Sequence, residues 1–231
     1  METVAAPSPN FDARPADTPI DILLLHYTGM ETGAAAIARL CDPAANVSAH
    51  YTVDEDGTIF AHVPEEARAW HAGVSFWAGA RDINGRSIGI EIVNPGHEFG
   101  YRSFPDIQIE AVIELSRDVI SRRSIPAARV LGHSDVAPAR KQDPGELFPW
   151  GKLSLGGVGV WPQMRKARLT VPFEDGMRAF GYGLHPDMDV APETVIEAFQ
   201  RHFRPARIDG TADRECEAIL AALLREIDFK D

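Results

Sequence analysis

Cysteine and an excess of basic residues are both lacking in this sequence of 231 residues. Its only two cysteines, Cys41 and Cys216, lie far apart, so we expect buried thiols and no disulfide framework. Lys and Arg number 23 against 34 Asp and Glu, which gives a formal net charge of −11. A surface that binds nucleic acid normally needs clustered Lys and Arg to displace counterions from phosphates. We therefore expect no nucleic-acid partner.

Long apolar runs are also missing. No stretch reaches the roughly 18 apolar residues that a transmembrane helix needs, so no transmembrane segment is expected. The N-terminus, METVAAPSPNFDARPADTPID, has neither the basic start and apolar core of an export signal nor a cysteine for lipid attachment. These absences predict a cytoplasmic protein. The alternative is the periplasm or the outer membrane, if an export signal has been removed from the chain.

The sequence does contain 45% hydrophobic residues, enough for one sizeable core and a small second one. After a flexible lead at residues 1–19, the apolar run that ends at His26 predicts a buried strand. The segment SIGIEIV at 87–93 predicts another strand, in which Glu91 faces away from three isoleucines. Further elements are predicted as a helix at 34–40 and as strands at 50–53 and 58–61.

A helix is predicted from Pro105 to about Arg123, because its apolar residues recur at helical spacing. A short strand at Val130 and Leu131 then leads directly to His133. Interspersed strands and helices indicate an α/β domain that ends near Pro162.

The remainder of the sequence has a different pattern. Three short amphipathic stripes predict helices around residues 173–180, 195–203 and 216–227. None of these stripes can be buried alone, so we expect a compact module of three helices at about 165–231.

A candidate metal site involves His26, His133 and Asp143. Zinc hydrolases commonly use three protein ligands drawn from His and carboxylate residues and leave a fourth position open. Both histidines are predicted at strand ends, and Asp143 lies in the segment GHSDVAPARKQDPG, where Pro138 and Pro144 restrict the backbone. Spacing alone leaves the alternative open that each histidine is a hydrogen-bonded structural residue.

Five segments of the chain resemble one known family: LLLHYTG, VSAHYTVDEDGTIF, AWHAGVSFWAGARDINGRSIGIEIVN, VLGHSDVAPARKQDPGELFPW and GVGVWP. In this order they resemble the zinc-dependent N-acetylmuramoyl-L-alanine amidases of the amidase_2 family, and most of all its AmiD-like branch, which is related to the AmpD-like enzymes. The resemblance runs from residue 20 to the end, because YGLHPD and VIEAFQRHFRP resemble the C-terminal helical module of that branch.

The resemblance implies a mixed central sheet flanked by helices, as in the amidase_2 and peptidoglycan-recognition folds, followed by a small C-terminal module of three helices. It also implies a zinc amidase domain at 20–164 and a helical, peptidoglycan-binding-like domain at 165–231. The helical domain would serve as a wall anchor, or would pack on the catalytic domain and frame one side of its groove.

The resemblance further implies one Zn²⁺ per chain, held by His26, His133 and Asp143. Glu91 is then the general acid and base, and Lys141 stabilises the oxyanion that develops on the amide carbonyl. From the residues alone, Glu91 could equally be a solvent-facing residue on an edge strand and Lys141 an ordinary solvated cation.

Substrate contacts are implied by resemblance at His50, His71 and Asn84, which fall in segments that line the family's groove. Trp70 and Trp77 could offer a face for sugar stacking, although at least one of them is expected in the core. The remaining histidines are interpreted as surface or structural residues: His62, His97, His185 and His202.

The function implied is hydrolysis of the amide bond between the lactyl group of N-acetylmuramic acid and L-alanine in peptidoglycan fragments, including 1,6-anhydro-muropeptides, during cell-wall turnover and recycling. One alternative is a peptidoglycan recognition module without catalysis. A second is a zinc peptidase that cleaves within the stem peptide.

Overall fold

The computed structural model describes residues 2–163, 168–184 and 189–227. The predicted domain boundary at 164/165 and the interpretation of His185 lie outside the described residues. The strands, in chain order, are β1 (Val4–Ala5), β2 (Phe11–Ala13), β3 (Ile22–Tyr27), β4 (Tyr51–Val53), β5 (Ile59–Ala61), β6 (Ala67–Ala69), β7 (Ser87–Ile92) and β8 (Val130–Gly132).

Helices follow or separate these strands. They are α1 (Gly33–Cys41), α2 (Ile83–Arg86), α3 (Gly96–Phe99), α4 (Asp106–Arg123), α5 (His133–Val136), α6 (Trp150–Leu155), α7 (Phe173–Phe180), α8 (Pro192–Phe203) and α9 (Arg214–Glu226). Short 3₁₀ turns lie at Pro43–Ala45 and Ala127–Arg129. None of the helices in the described ranges is long and apolar enough to cross a membrane.

A mixed sheet of six strands forms the centre of the molecule, in the order β1-β5-β4-β7-β3-β8. Only β4 and β5 pair antiparallel, and every other neighbouring pair is parallel. Strands β2 and β6 form a separate antiparallel pair. The predicted fold class, a mixed central sheet flanked by helices, is confirmed.

The first four residues of β3, Ile22 to Leu25, are apolar because both faces of the sheet are covered there. Leu23 and Leu25 pack into a core with the isoleucines of β7 and with α4, whereas Ile22 and Leu24 face a second core on the opposite side. A continuous apolar run is the pattern expected of a parallel strand that is buried on both faces. His26 follows this run and is only 1% exposed.

Helix α4 covers one face of the sheet. Pro105 precedes its first residue, as predicted, and Ser124 ends it in the left-handed conformation with φ 54°. Its buried stripe includes Ile109, Val112 and Leu115, which join the core beneath β7. At 25 cal/mol per Å², burying each of these side chains contributes about 1.5–3 kcal/mol to the free energy of unfolding.

The C-terminal helices α7, α8 and α9 form as predicted and pack on the other face of the sheet. One buried cluster joins Leu24 and Leu131 of the sheet to Met177, Phe199 and Leu220 of these helices. The helices therefore have no separate core of their own, and the division into two domains stays a prediction. Cys216 is buried in the same cluster, and Cys41 is partly exposed; both thiols are free.

Candidate active site

Three side chains that are remote in sequence converge at the carboxyl end of the central strands. Nδ1 of His26 lies 2.9 Å from Nδ1 of His133, and Oδ2 of Asp143 lies 3.0 Å from each of these nitrogens. All three residues are buried. These are the residues that the sequence predicts as metal ligands, and the structure brings them together.

Strand pairing brings the two histidines to the same edge of the sheet. Leu25 of β3 pairs with Gly132 of β8 in parallel register, so the next residues, His26 and His133, lie at the same level of the sheet. The prediction that β3 ends at His26 is wrong by one residue, because this strand continues to Tyr27. The prediction that His133 ends a strand is wrong by one residue, because Gly132 ends β8 and His133 begins α5. The backbone N–H of Ser134 donates to the carbonyl of Asp143 at 2.9 Å and folds the loop back over the strand end.

The outer nitrogens of both histidines are occupied by protein groups. Nε2 of His133 donates to the carbonyl oxygen of Ala72 at 3.0 Å, and Nε2 of His26 lies 3.0 Å from Nδ1 of His71. Asn84 fixes this segment in turn, since its Oδ1 accepts the N–H groups of His71 and Ala72. Partners of this kind orient the imidazoles of metal sites and leave the inner nitrogens free to coordinate.

The donor set fits a zinc ion. A tetrahedral zinc with bonds of about 2.0–2.1 Å holds its ligand atoms roughly 3.3 Å apart, close to the spacing of the two Nδ1 atoms and Oδ2. Two imidazoles and one carboxylate are also a ligand set that catalytic zinc sites use. The cluster can therefore hold a divalent metal.

Protonation of the cluster suits metal binding. Burial, together with the neighbouring His133, lowers the pKa of His26 to about 4. Burial alone would raise the pKa of Asp143, but the charge and hydrogen bonds of His133 and His26 hold this pKa well below its usual value. At neutral pH His26 is thus neutral and Asp143 is ionised, which are the forms that coordinate a metal.

Glu91 lies beside the ligand cluster, in the middle of the sheet. It pairs in register with His26 of β3 and with Thr52 of β4, so it is not on an edge strand. Its Oε2 atom is buried and has no hydrogen-bond partner among the described residues. Burial and the nearby Asp143 raise the pKa of Glu91 well above its usual value, while Lys141 lowers it. A carboxylate with a raised pKa and an open acceptor is suited to accepting and returning a proton.

Lys141 lies on the wall of the same cleft, in the loop that carries Asp143. Its backbone N–H donates to the carbonyl oxygen of Ala137 at 3.1 Å, which holds the loop in a tight turn. No hydrogen bond or ion pair joins its ammonium group to another described residue. The positive charge of Lys141 lowers the pKa of both Glu91 and His26, which line the same cleft.

The cleft that contains these groups has a volume of about 550 Å³. It is lined by six of the residues that the sequence predicts for the site: His26, His71, Glu91, His133, Lys141 and Asp143. Its polar lining also includes side chains for which sequence reasoning proposed no role in the site: Arg39, His97, Glu98 and Arg140.

His50 and Asn84 lie behind the cleft and do not line it. The His50 ring is fully buried, its Nδ1 accepts the N–H of Gly89 at 2.9 Å, and its Nε2 lies 3.2 Å from the carbonyl oxygen of Ala67. Asn84 is 7% exposed and binds the backbone of the His71 segment. Their role as substrate contacts stays a prediction, and the contacts observed are those of residues that support the cleft wall.

His97 lies at the cleft rim and holds a network there. Its Nδ1 is 3.0 Å from the Tyr27 hydroxyl, its Nε2 is 3.1 Å from Glu146, and its ring stacks on Tyr101 with centroids 4.3 Å apart. The position of His97 in the sequence could have indicated this, because His97 follows β7 within a few residues and so lies near the carboxyl end of that strand, as Glu91 does. Trp77 is 2% exposed within the core, as expected for at least one of the two candidate tryptophans.

Comparison with known proteins identifies related chains. The family model Amidase_2, described as N-acetylmuramoyl-L-alanine amidase, matches residues 16–146. The N-acetylmuramoyl-L-alanine amidase AmiD of Escherichia coli K12 is 38% identical over 90% of this chain and 83% of its own length. The 1,6-anhydro-N-acetylmuramyl-L-alanine amidase AmpD of Enterobacter cloacae is 33% identical over 64% of this chain and 86% of its own length.

Two solved structures are similar over most of their length. The complex of E. coli AmiD with the substrate anhydro-N-acetylmuramic acid-L-Ala-D-γ-Glu-L-Lys superposes with a TM-score of 0.80 and covers 91% of each chain. AmpDh3 of Pseudomonas aeruginosa, at 33% identity, has a TM-score of 0.81 and covers 99% of this chain and 100% of its own. A complex of AmpDh3 with an anhydromuramic pentapeptide has also been solved.

Proposed function

The chain belongs to the N-acetylmuramoyl-L-alanine amidase family Amidase_2, and from this premise we propose that it hydrolyses the amide bond between the lactyl group of N-acetylmuramic acid and L-alanine of the stem peptide. The observation that carries the proposal is the convergence of His26, His133 and Asp143 beside the unpartnered carboxylate of Glu91.

The substrates are peptidoglycan fragments that include 1,6-anhydro-muropeptides. Related AmiD and AmpDh3 structures contain an anhydromuramic peptide, and AmpD relatives are named for the same bond. A cleft of about 550 Å³ lies within the range that accommodates small ligands. The resulting role is cell-wall turnover and recycling.

The metal is zinc, one ion per chain, held by His26, His133 and Asp143. When bound there, zinc polarises the amide carbonyl and makes water nucleophilic near neutral pH. His71 and Ala72 keep the inner nitrogens of the two histidines directed at the ion, because they occupy the outer ones.

Glu91 moves the proton. As the water oxygen attacks the carbonyl carbon, Glu91 accepts a proton from the water, and it returns this proton to the alanine nitrogen when the C–N bond breaks. The products are a free lactyl carboxylate and a peptide with a free N-terminal amine. Lys141 stabilises the negative charge that develops on the carbonyl oxygen. Its ammonium group is available for this contact because it has no other partner among the described residues.

The test separates ligand from acid and base. Asp143→Ala is expected to lose both zinc and activity, whereas Glu91→Gln keeps zinc and loses activity. Metal content is measured by elemental analysis, and cleavage of an anhydro-muropeptide is followed by chromatography of the released peptide. Removal of zinc with a chelator abolishes cleavage, and added Zn²⁺ restores it.

The same measurements decide between the alternatives. A recognition module binds the muropeptide but releases no peptide with any metal, and this result would overturn the amidase. A peptidase releases fragments that lack the N-terminal alanine, whereas the amidase releases the intact peptide. The presence of all three ligands, Glu91 and Lys141 in one cleft favours the enzyme.

The cytoplasmic location predicted from the sequence remains part of this proposal, with the periplasm or outer membrane as its alternative. Recycling acts on released fragments, so turnover of anhydro-muropeptides is expected to exceed turnover of intact sacculi. Immunoblots of fractionated cells test the location directly, and a strong preference for sacculi would argue for the envelope.

A further inference from the structure

Asp135, two residues after His133, is a buried carboxylate that does not belong to the metal cluster. Its side chain is 1% exposed and accepts three hydrogen bonds. One comes from the backbone N–H of Gly132 at 2.8 Å, one from Nδ1 of His202 at 2.7 Å and one from the Tyr182 hydroxyl at 2.7 Å. The first bond fixes the backbone that leads into His133, and the other two come from the C-terminal region.

Both C-terminal donors are buried at this contact. Tyr182 follows α7 and is 0% exposed, and His202 in α8 is 3% exposed. The His202 ring stacks on Trp150 with centroids 3.7 Å apart and an angle of 18°. These contacts fix the position of Asp135, because Tyr182 and His202, which bind its carboxylate, are themselves packed in the core.

The backbone at Gly132 connects Asp135 to both ends of the loop that carries the ligands His133 and Asp143. A Cβ at Gly132 would lie 2.8 Å from Pro144, the residue after Asp143, and 3.2 Å from Trp150. The strand end before His133 is therefore packed directly against the segment that carries Asp143. A shift of this backbone would change the 3.0 Å spacing between the two ligand atoms.

We infer that the C-terminal helices complete the metal centre, with Tyr182 and His202 acting as positioning residues through Asp135. This is a role distinct from wall binding, and it rests on the metal site proposed above. Without its two donors, a buried carboxylate is left with unsatisfied oxygens and draws water or rearranges, since an unpaired charge in the core is strongly unfavourable. The loop from Gly132 to Asp143 would then no longer be held in its ligating conformation.

The test measures the zinc affinity of the metal-free full chain by competition with a chromophoric chelator. Tyr182→Phe removes only the hydroxyl, and His202→Phe keeps a ring against Trp150 but removes the donor. Each variant is expected to bind zinc roughly tenfold or more weakly, as when supporting groups of metal sites are removed. His202→Asn places an amide N–H near the position of Nδ1 and is expected to recover much of the affinity.

Gln200→Leu is the matched control on the same helix. Gln200 is fully buried, and its side chain binds the 209–211 loop and not Asp135. Its replacement therefore destabilises α8 but leaves the hydrogen bonds of Asp135 intact. Thermal melts show how far each variant is destabilised. Loss of zinc affinity in Tyr182→Phe and His202→Phe, but not in Gln200→Leu at a similar loss of Tm, supports the inference.

Other outcomes are distinguishable. If the wild-type chain binds no zinc, the proposed metal centre fails and this inference fails with it. If the wild-type chain binds zinc and both variants bind it within twofold, the inference alone is overturned. Equal weakening in Gln200→Leu, or no recovery in His202→Asn, would also overturn it, because either result shows general loosening in place of positioning. If His202→Phe does not fold, His202→Gln replaces it and is expected to lose zinc affinity as well, because its amide lies near the position of Nε2 and not of Nδ1, the atom that binds Asp135.

Discussion

Nε2 of His26 lies 3.0 Å from Nδ1 of His71, so one candidate ligand is fixed by a second histidine that is itself buried. The His71 ring in turn lies against the backbone of Gly89, where an added Cβ would come within 2.6 Å of it. Burial and the neighbouring His26 lower the pKa of His71 well below its usual value, so His71 is neutral and has one N–H to donate. Gly89, His71 and His26 thus contact one another in sequence from the sheet to the cleft.

From these contacts we predict the effect of Gly89→Ala. The new methyl group must displace the His71 ring, which loosens His26, and we expect zinc affinity to fall roughly 10- to 100-fold. Chelator competition measures this affinity. Gly151→Ala in α6 is the control, because its nearest neighbours lie at an ordinary 3.6 Å. Unchanged zinc affinity in Gly89→Ala would show that His71 does not orient His26.

A second prediction concerns Lys141. Lys141→Met removes the charge at the developing oxyanion, and kcat is expected to fall on the order of 10²-fold, while the zinc content stays unchanged. Steady-state kinetics on an anhydro-muropeptide give kcat and KM separately. Lys152→Met is the control, because Lys152 pairs with Asp106 away from the cleft. A rise in KM with unchanged kcat would indicate that Lys141 only binds substrate.

A third prediction concerns Tyr101, whose hydroxyl supports the segment after Asp143. It donates to the carbonyl oxygen of Pro144 at 2.8 Å and accepts the N–H of Leu147 at 2.9 Å. Tyr101→Phe leaves both groups without this partner and is expected to cost about 1–3 kcal/mol of unfolding free energy and to weaken zinc binding.

Tyr51→Phe is the control for Tyr101→Phe. It removes a hydroxyl that binds Glu65 outside the cleft lining. Urea denaturation and zinc competition are measured on both variants. Equal zinc affinity in the two would contradict a role for Tyr101 in holding the Asp143 loop.

A fourth prediction concerns stability against pH. Burial, and then the nearby Arg14, lower the pKa of His50 to about 3, against 6.5 when the chain is unfolded. Between these values the unfolded chain binds the proton and the folded chain does not. The contribution of His50 is therefore fully present above pH 6.5 and is lost as the pH falls towards 3, by about 1.4 kcal/mol per pH unit.

His50→Asn tests this sign. The amide oxygen can accept the Gly89 N–H in place of Nδ1, but it does not titrate. The free energy of unfolding, measured with urea from pH 8 to pH 4.5, is expected to fall less steeply in the variant. Parallel curves for variant and wild type would mean that His50 has the same pKa in the folded and the unfolded chain.

Much of the fold was predictable because its elements have strong local patterns. The apolar run before His26, the alternation around Glu91 and the stripe of α4 each specify an element and the face that it buries. The ligand set was predictable only with the resemblance, since spacing alone does not say that residues 26, 133 and 143 meet.

The supporting contacts were not predictable in the same way. The stripes of α8 and α9 show which side of each helix is buried, but not that this side belongs to the same buried cluster as Leu24 of the sheet. His202 was correctly interpreted as structural, yet its bond to Asp135 spans 67 residues and leaves no local pattern. The carbonyl of Ala72 illustrates the same limit, because any residue type offers that acceptor to His133.

The apolar cluster that extends from the sheet into α8 and α9 determines how this protein unfolds and where it can be truncated. Calorimetry is expected to give a single melting peak whose van't Hoff and calorimetric enthalpies agree, since one face of the sheet and the C-terminal helices share a single buried cluster. A fragment cut after residue 163 would expose one apolar side of its sheet to water and aggregate. Replacing the C-terminal helices with another domain would require redesign of that side first.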